Sequence, residues 1–197
     1  IQASIKIILI IIIVICSRVL PAQNNNIKFI DDNYTTFFRL DTDNGLPAGK
    51  VLDIVQHPYG FIYIATINGL CRYDGYKTEI FVNQLNDTNT IPGNYVTSLA
   101  IDSLNNLWVG TKNGLSIFNN NRFINIPVQT STTTGISNAY VRKVYYKKGK
   151  YVWAETVDGV LNQIDILNLS VKHFKHEKIL ASRYDYHSIF QDNNGTI

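Results

Sequence analysis

The chain has 197 residues, 45% hydrophobic and 17% charged, a composition of globular character that excludes a disordered or collagen-like protein. Its 18 Lys+Arg against 15 Asp+Glu leave a net charge of +3 with no long basic block, which argues against a nucleic-acid partner. Two cysteines, in neither a Cys-x-x-Cys nor a zinc-ligand spacing, exclude a fold held by disulfides or metal.

In chain order, the first element is for targeting. The sequence begins at Ile1 and contains no methionine, so a piece of a longer protein is expected. Lys6 precedes the apolar run Ile7 to Cys16, and Pro21 and Ala22 lead into a polar stretch. A charged start, a short apolar run and a small residue before the cut make residues 1–22 a signal peptide, followed by a polar leader over 23–35. The apolar run is about half of the ~20 residues a membrane-spanning helix needs, so an uncleaved anchor is the weaker alternative. A lipoprotein attached at Cys16 is disfavoured because Ile15 is large where a small residue is required. Lys6 and Arg18 are the only charges before residue 23, so the mature chain carries +1 and a single thiol, Cys71. That thiol is expected to be a buried small hydrophobe.

Thr36 to Leu40 reads as a lone strand, and a strict repeat follows. Tyr63-Ile64-Ala65-Thr66-Ile67-Asn68-Gly69-Leu70, Trp108-Val109-Gly110-Thr111-Lys112-Asn113-Gly114-Leu115 and Trp153-Ala154-Glu155-Thr156-Val157-Asp158-Gly159-Val160 are displaced by 45 positions without a gap. The same offset superposes Val51, Val96 and Val141, and also Ile54, Leu99, Val144 and Ile189, so a fourth copy has begun before Ile197. Each unit holds four apolar segments, in the first copy Val51 to Val55, Phe61 to Thr66, Leu70 to Tyr73 and Lys77 to Phe81, separated by turn residues. Asn68-Gly69, Asn113-Gly114 and Asp158-Gly159 predict hairpins with type I′ turns. The first segment of each unit spaces its apolar residues by three, which is not the alternation of a regular strand.

Four strands in such a unit, with an aromatic residue in the second, make a β-propeller blade; a helical repeat would need a 3.6-residue period. The expected fold is all-β, a β-propeller over 36–197 with blades from about 51, 96, 141 and 186, three complete and the fourth partial. A closed ring typically needs about 4–8 blades, so the ring is expected to be truncated before closure. Tyr63, Trp108 and Trp153 are expected in the core between blades.

Catalytic chemistry finds little footing. His173 and His176 are three apart on a strand and fall on opposite faces, so no metal site is expected, and no catalytic motif or cofactor loop occurs. Asp102 and Asp192 stand in turns where an Asp-box of sialidase type would stand, but where a turn-forming aspartate also serves. Binding has more support. Lys50, Tyr95, Tyr140 and Asp185 are equivalent at the 45-residue offset, and with Asn68, Lys112, Asn113 and Asp158 they would gather on one rim. Positions that only support the fold stay alike from blade to blade, whereas this one changes from Lys to Tyr to Asp. Aromatic faces with amide, carboxylate and ammonium groups suit a sugar. Packing of each tyrosine on the next blade, and turn formation by the Asn and Asp residues, are the structural alternatives.

The unit Val-x-x-Ile followed by Trp-Val-Gly-Thr-x-x-Gly-Leu, with Phe38-Arg39-Leu40 and Gly45-Leu46-Pro47 ahead and Tyr73-Asp74-Gly75 behind, resembles the two-component regulator propeller repeat. The resemblance covers about Phe37 to Ile197; Ala65 and Glu155 depart from the Gly of Gly110, Tyr63 from the Trp, and Gln163 to Leu169 from Tyr73-Asp74-Gly75. It implies the periplasmic sensor region of a Bacteroidetes hybrid two-component system. The parent would be a histidine kinase anchored in the inner membrane by a later helix, with membrane contact only there. It also implies an oligosaccharide ligand and a signal passed by rearranging two propellers or a homodimer. A secreted glycan lyase or sialidase, and a non-catalytic interaction propeller, are the alternatives.

Overall fold

In the computed structural model the described residues are 38–129, 135–175 and 192. The chain divides into two compact units, Ile1–Phe38 and Arg39–Ile197. Of the first, only Phe38 is described, so the signal peptide and polar leader lie outside the described residues. So does nearly all of the fourth copy, Ile189 included.

The second unit is built of strands. The first repeat forms β1 (Val51–Gln56), β2 (Ile62–Thr66), β3 (Gly69–Tyr73) and β4 (Thr78–Phe81). The second forms β5 (Val96–Ile101), β6 (Leu107–Thr111), β7 (Gly114–Asn119) and β8 (Arg122–Ile126). The third forms β9 (Val141–Tyr145), β10 (Tyr151–Thr156), β11 (Val160–Asp165) and β12 (Val171–Lys175). Each repeat is one four-stranded antiparallel sheet in sequential order, and the sheets follow one another through their first strands, β1 beside β5 and β5 beside β9. These are the blades of the expected all-β propeller, with no closed ring among the described residues. The third repeat makes its outer strand despite departing from the Tyr73-Asp74-Gly75 pattern. Asp165 Oδ1 accepts the Leu167 amide at 2.9 Å and turns the chain there, as Asp74 Oδ1 does for Tyr76 at 2.8 Å.

The odd spacing in the first strands has a backbone cause. Pairing shifts between Val51 and Asp53 in β1, between Val96 and Ser98 in β5, and between Val141 and Lys143 in β9. A bulge therefore adds one residue, Leu52, Thr97 or Arg142, at the same place in every blade. Residues three apart then face the same side: Val96 and Leu99 both enter one core cluster, and Val141 and Val144 both enter the next.

The core forms between consecutive sheets. Tyr63, Ala65 and Leu70 of the first sheet meet Val96, Leu99, Leu107 and Val109 of the second. Phe81, Phe118 and Phe123 extend this interface, with ring centroids 4.6 to 5.5 Å apart. The opposite face of the second sheet presents Trp108, Leu115 and Ile117 to Val141, Val144, Val152 and Ala154 of the third. The loop residues Ile91 and Ile136, equivalent at the repeat offset, are wholly buried, one in each of these interfaces. Their counterpart Leu46 covers Ile64 and Cys71 on the other face of the first sheet.

The equivalent aromatic thus points from each sheet toward the next in sequence. Tyr63 and Trp108 are buried as expected; Trp153 is only half-buried, with its ring 5.7 Å from that of Phe174. It occupies the same register but faces away from the second sheet. Val51 and Ile54 show the same end effect at the opposite side, where Ile54 is 58% exposed while its counterpart Leu99 is 4% exposed.

Two local expectations need correction. The hairpins form as expected, but Asn68, Asn113 and Asp158 keep negative φ, so the turns are not type I′. Only the glycine takes positive φ, as at Gly69 (132°) and Gly159 (74°), just after the turn. In the first two hairpins the pairing runs unbroken to Thr66 with Gly69 and Thr111 with Gly114, so an ordinary two-residue turn is followed directly by a glycine that takes up the positive φ where the next strand begins. Second, Phe38 to Leu40 are not in a strand, and Thr36 and Phe37 lie outside the described residues.

Gly110 is required for a different reason, close approach. A Cβ there would lie 2.9 Å from both Val141 Cγ1 and Val144 Cγ2, so bare backbone lets β9 seat against β6. Gly110→Val is expected to lower the unfolding free energy by about 1–3 kcal/mol through overpacking. Urea titration of the intact protein checks this, and an unchanged midpoint would contradict the seating.

Candidate functional site

The rim is assembled by backbone before any side chain acts. Tyr95 and Tyr140 immediately precede β5 and β9, and their carbonyls accept the amides of Lys112 at 3.1 Å and Val157 at 2.9 Å. Each strand start is thereby tied to the hairpin turn of its own sheet, which places both on one edge as the repeat register requires. Within the turns, Thr66 and Thr111 take the amides of Asn68 and Asn113 at 3.2 and 3.0 Å.

Three of the rim side chains converge. The Lys112 ammonium lies 3.8 Å from the Tyr95 ring centroid and 5.5 Å from that of Tyr140. The lysine is exposed and the tyrosines are half-buried, so the group is a cation over two aromatic rings at the joint of the second and third sheets. Lys50 is exposed ahead of β1, and Asp185 lies outside the described residues. Asn68 and Asp158 serve local structure. Asn68 donates to the Pro47 carbonyl at 3.3 Å; the Asp158 carboxylate accepts from Thr156 at 2.6 Å and Ser137 at 3.4 Å.

A second polar group, in the innermost strands, escaped the sequence reading. Asp53 Oδ2 accepts from Ser98 Oγ at 2.9 Å, from the Leu99 amide at 3.0 Å and from Lys143 Nζ at 3.1 Å. Ser98 Oγ in turn accepts the Val144 amide at 3.1 Å. Asp53, Ser98 and Lys143 are the residue after the bulge in each of the three blades, again equivalent at the 45-residue offset. Their variation from Asp to Ser to Lys was the available signal, concealed because the bulge that aims them was not foreseen.

Other candidates resolve into structural roles. Asp102 is 3% exposed and accepts the amides of Leu104 and Asn106 and the Trp108 indole N–H at 2.8 to 2.9 Å, so it holds the turn and orients the tryptophan. At the same position of the first repeat, His57 accepts the Tyr59 amide on Nδ1 at 3.2 Å and donates from Nε2 to the Asn105 carbonyl at 3.0 Å. His173 Nε2 donates to the Gly135 carbonyl at 2.9 Å, and His176 lies outside the described residues. Cys71 is buried as expected, and desolvation pushes its thiol up to about 11.

Sequential antiparallel blades joined by their inner strands, with variable residues along one rim, define a β-propeller. Residues 90–113, spanning the start of the second blade through its Trp-Val-Gly-Thr strand, match the family model described as two component regulator propeller, and the chain carries that repeat. Among solved structures, it is similar to the extracellular domain of the hybrid two component system BT3049 from B. thetaiotaomicron. The identity is 24% and the TM-score 0.65, over 70% of this chain and 20% of that one. Two structures of the BT4673 extracellular domain from the same organism, one described as part of a one component and the other of a hybrid two component system, are also similar. Their identities are 17% and 18%, with TM-scores of 0.57 and 0.53, over 74% and 69% of this chain and 21% and 19% of those chains. The chain thus spans about a fifth of the solved chains it matches. No curated protein matches it.

Two measurements follow from this geometry. Asp53→Ala, which leaves Ser98, the Leu99 amide and Lys143 without their shared acceptor, is expected to lower the unfolding free energy by about 1–3 kcal/mol. Lys143→Gln, at a half-exposed donor, is expected to cost less than about 1 kcal/mol. Urea titrations compare them, and equal losses would deny Asp53 its place as the hub. With its pKa at about 11, the Cys71 thiol is almost wholly protonated at pH 8. In a Cys16→Ser chain, a thiol reagent should therefore label the native protein only after denaturant is added; labelling at the rate of a free thiol would contradict the burial.

Proposed function

We propose that the chain is part of the exported, ligand-sensing propeller of a hybrid two-component system, and that its ligand is an oligosaccharide released from a glycan. The observation that carries this reading is the match of residues 90–113 to the two component regulator propeller repeat. The fold likeness to extracellular domains of such systems supports it. In this reading the apolar segment ahead of Ala22 directs export. The kinase and membrane anchor belong to the parent protein, and the propeller's part is non-catalytic.

The binding surface in this reading is the rim of Lys50, Tyr95, Tyr140 and Asp185, joined by Lys112. Sugars offer C–H faces to aromatic rings and hydroxyls to polar groups, and the two tyrosines supply both ring and phenol. Binding signals only to the extent that the ligand prefers one of two arrangements of the parent, whether of two propellers or of a homodimer. Calorimetry of the intact protein against a panel of oligosaccharides tests the reading. At least one is expected to bind, with affinity falling about tenfold or more in Tyr95→Ala and Tyr140→Ala, the loss of one aromatic contact. Absence of heat from every member, or binding untouched by both substitutions, would overturn it.

A further inference from the structure

The same rim narrows the chemistry of what it holds. Resting on the reading just given, we infer that the group seated between Tyr95 and Tyr140 is an anionic part of a sugar, a uronate carboxylate or a sulfate, and that Lys112 is the residue that selects it. The argument begins from an obstacle. A neutral sugar would stack its C–H face on an open aromatic ring, but the Lys112 ammonium stands 3.8 Å from the Tyr95 ring centroid and already covers one face. The same ammonium is 5.5 Å from the Tyr140 centroid, so it reaches across the joint between the second and third blades. A neutral ligand entering this slot has to compete with the cation for the ring. An anionic ligand recruits the cation instead, pairing with the ammonium while the rings flank it.

The position of the lysine is set independently of its side chain. Its amide is bonded to the Tyr95 carbonyl at 3.1 Å, and the next residue's amide is held by Thr111 Oγ1 at 3.0 Å, so the turn presents the ammonium from a fixed backbone. The carboxylate on the neighbouring turn, Asp158, takes the Thr156 and Ser137 hydroxyls on Oδ1, and among the described residues the ion pairs do not join it to Lys112. The corresponding residues of the other two blades are Ile67 and Val157, so among the described repeats only the second places a cation in its turn at this position. A ligand selected by charge would therefore seat between the second and third blades, not at the first.

The test uses the intact protein with two probes, a tetrasaccharide containing hexuronic acid and the same tetrasaccharide with its carboxyl groups reduced to alcohols. Calorimetry is expected to give the acidic probe about tenfold or greater preference at low salt, the scale of one charge-assisted hydrogen bond, and to lose most of it at high ionic strength. Lys112→Gln is expected to abolish the preference, by an about tenfold or greater loss in the acidic probe's affinity. Lys112 is exposed in a turn, and an unchanged far-ultraviolet circular dichroism spectrum confirms that the variant is folded. Equal or tighter binding of the neutral probe to the native protein, or a preference that survives Lys112→Gln, overturns the charge selection and leaves the sugar-binding rim standing. Binding of neither probe, together with none from the wider panel, overturns both.

Discussion

Each sheet here must be covered on both faces by its neighbours, and that single demand sets most of the residue pattern. In β6 every residue is buried, with Leu107 and Val109 turned to the first sheet and Trp108 and Gly110 to the third. A register slip of one residue would exchange the two sets and place Trp108 where Leu107 belongs. Burying a tryptophan fully contributes on the order of 4 kcal/mol by area, more than any single hydrogen bond in the molecule. Polar contacts therefore tune this fold, whereas sheet-on-sheet packing determines it. At Gly110 that packing leaves no room for a Cβ, whereas its equivalents in the other two sheets carry the side chains of Ala65 and Glu155, both buried.

The bulge turns this packing requirement into a surface. By adding one residue to the first strand of each blade, it keeps Val96 and Leu99 on the same packed face and leaves Ser98 to meet Asp53, whose carboxylate also takes the Lys143 ammonium. One backbone irregularity repeated three times both seals the interface and creates a line of polar contacts along the innermost strands. The rim has the complementary freedom. Its strand starts and turns are fixed by main-chain bonds from Lys112 and Val157, so side chains there are under little packing constraint and can vary between Lys, Tyr and Asp.

These two features explain what was legible in the sequence. Strand bounds followed from apolar segments and turn residues, and β2 at Ile62–Thr66 differs by a single residue from the segment read at Phe61 to Thr66. The hairpins were legible from their glycines, but the turn type was not. Asn-Gly permits positive φ at both residues without requiring it, and the following strand pairing left it to glycine alone. The rim tyrosines were legible because their variation lies outside the packed pattern. Asp53, Ser98 and Lys143 were not, since they lie within a strand whose spacing of three had no explanation until the bulge supplied one. Nor does periodicity report end effects: Trp153 repeats Trp108 in sequence, yet burial depends on what lies on its outer side.

The rim cluster and the inner-strand network meet at one joint. Between the second and third blades, Thr97 Oγ1 donates to the Val141 carbonyl at 2.7 Å, and Ser98 Oγ takes the Val144 amide, both within four residues of Tyr140. In the proposed reading, a ligand bridging Tyr95 and Tyr140 adds its contacts to a joint already fixed by hydrogen bonds and by Val141 and Val144 packed against Gly110. Such a joint has little local slack, because a densely packed interface shifts as a unit rather than loop by loop. The binding free energy would then act on how whole blades are placed relative to one another. That is the form in which a propeller could bias the arrangement of whatever is attached to it.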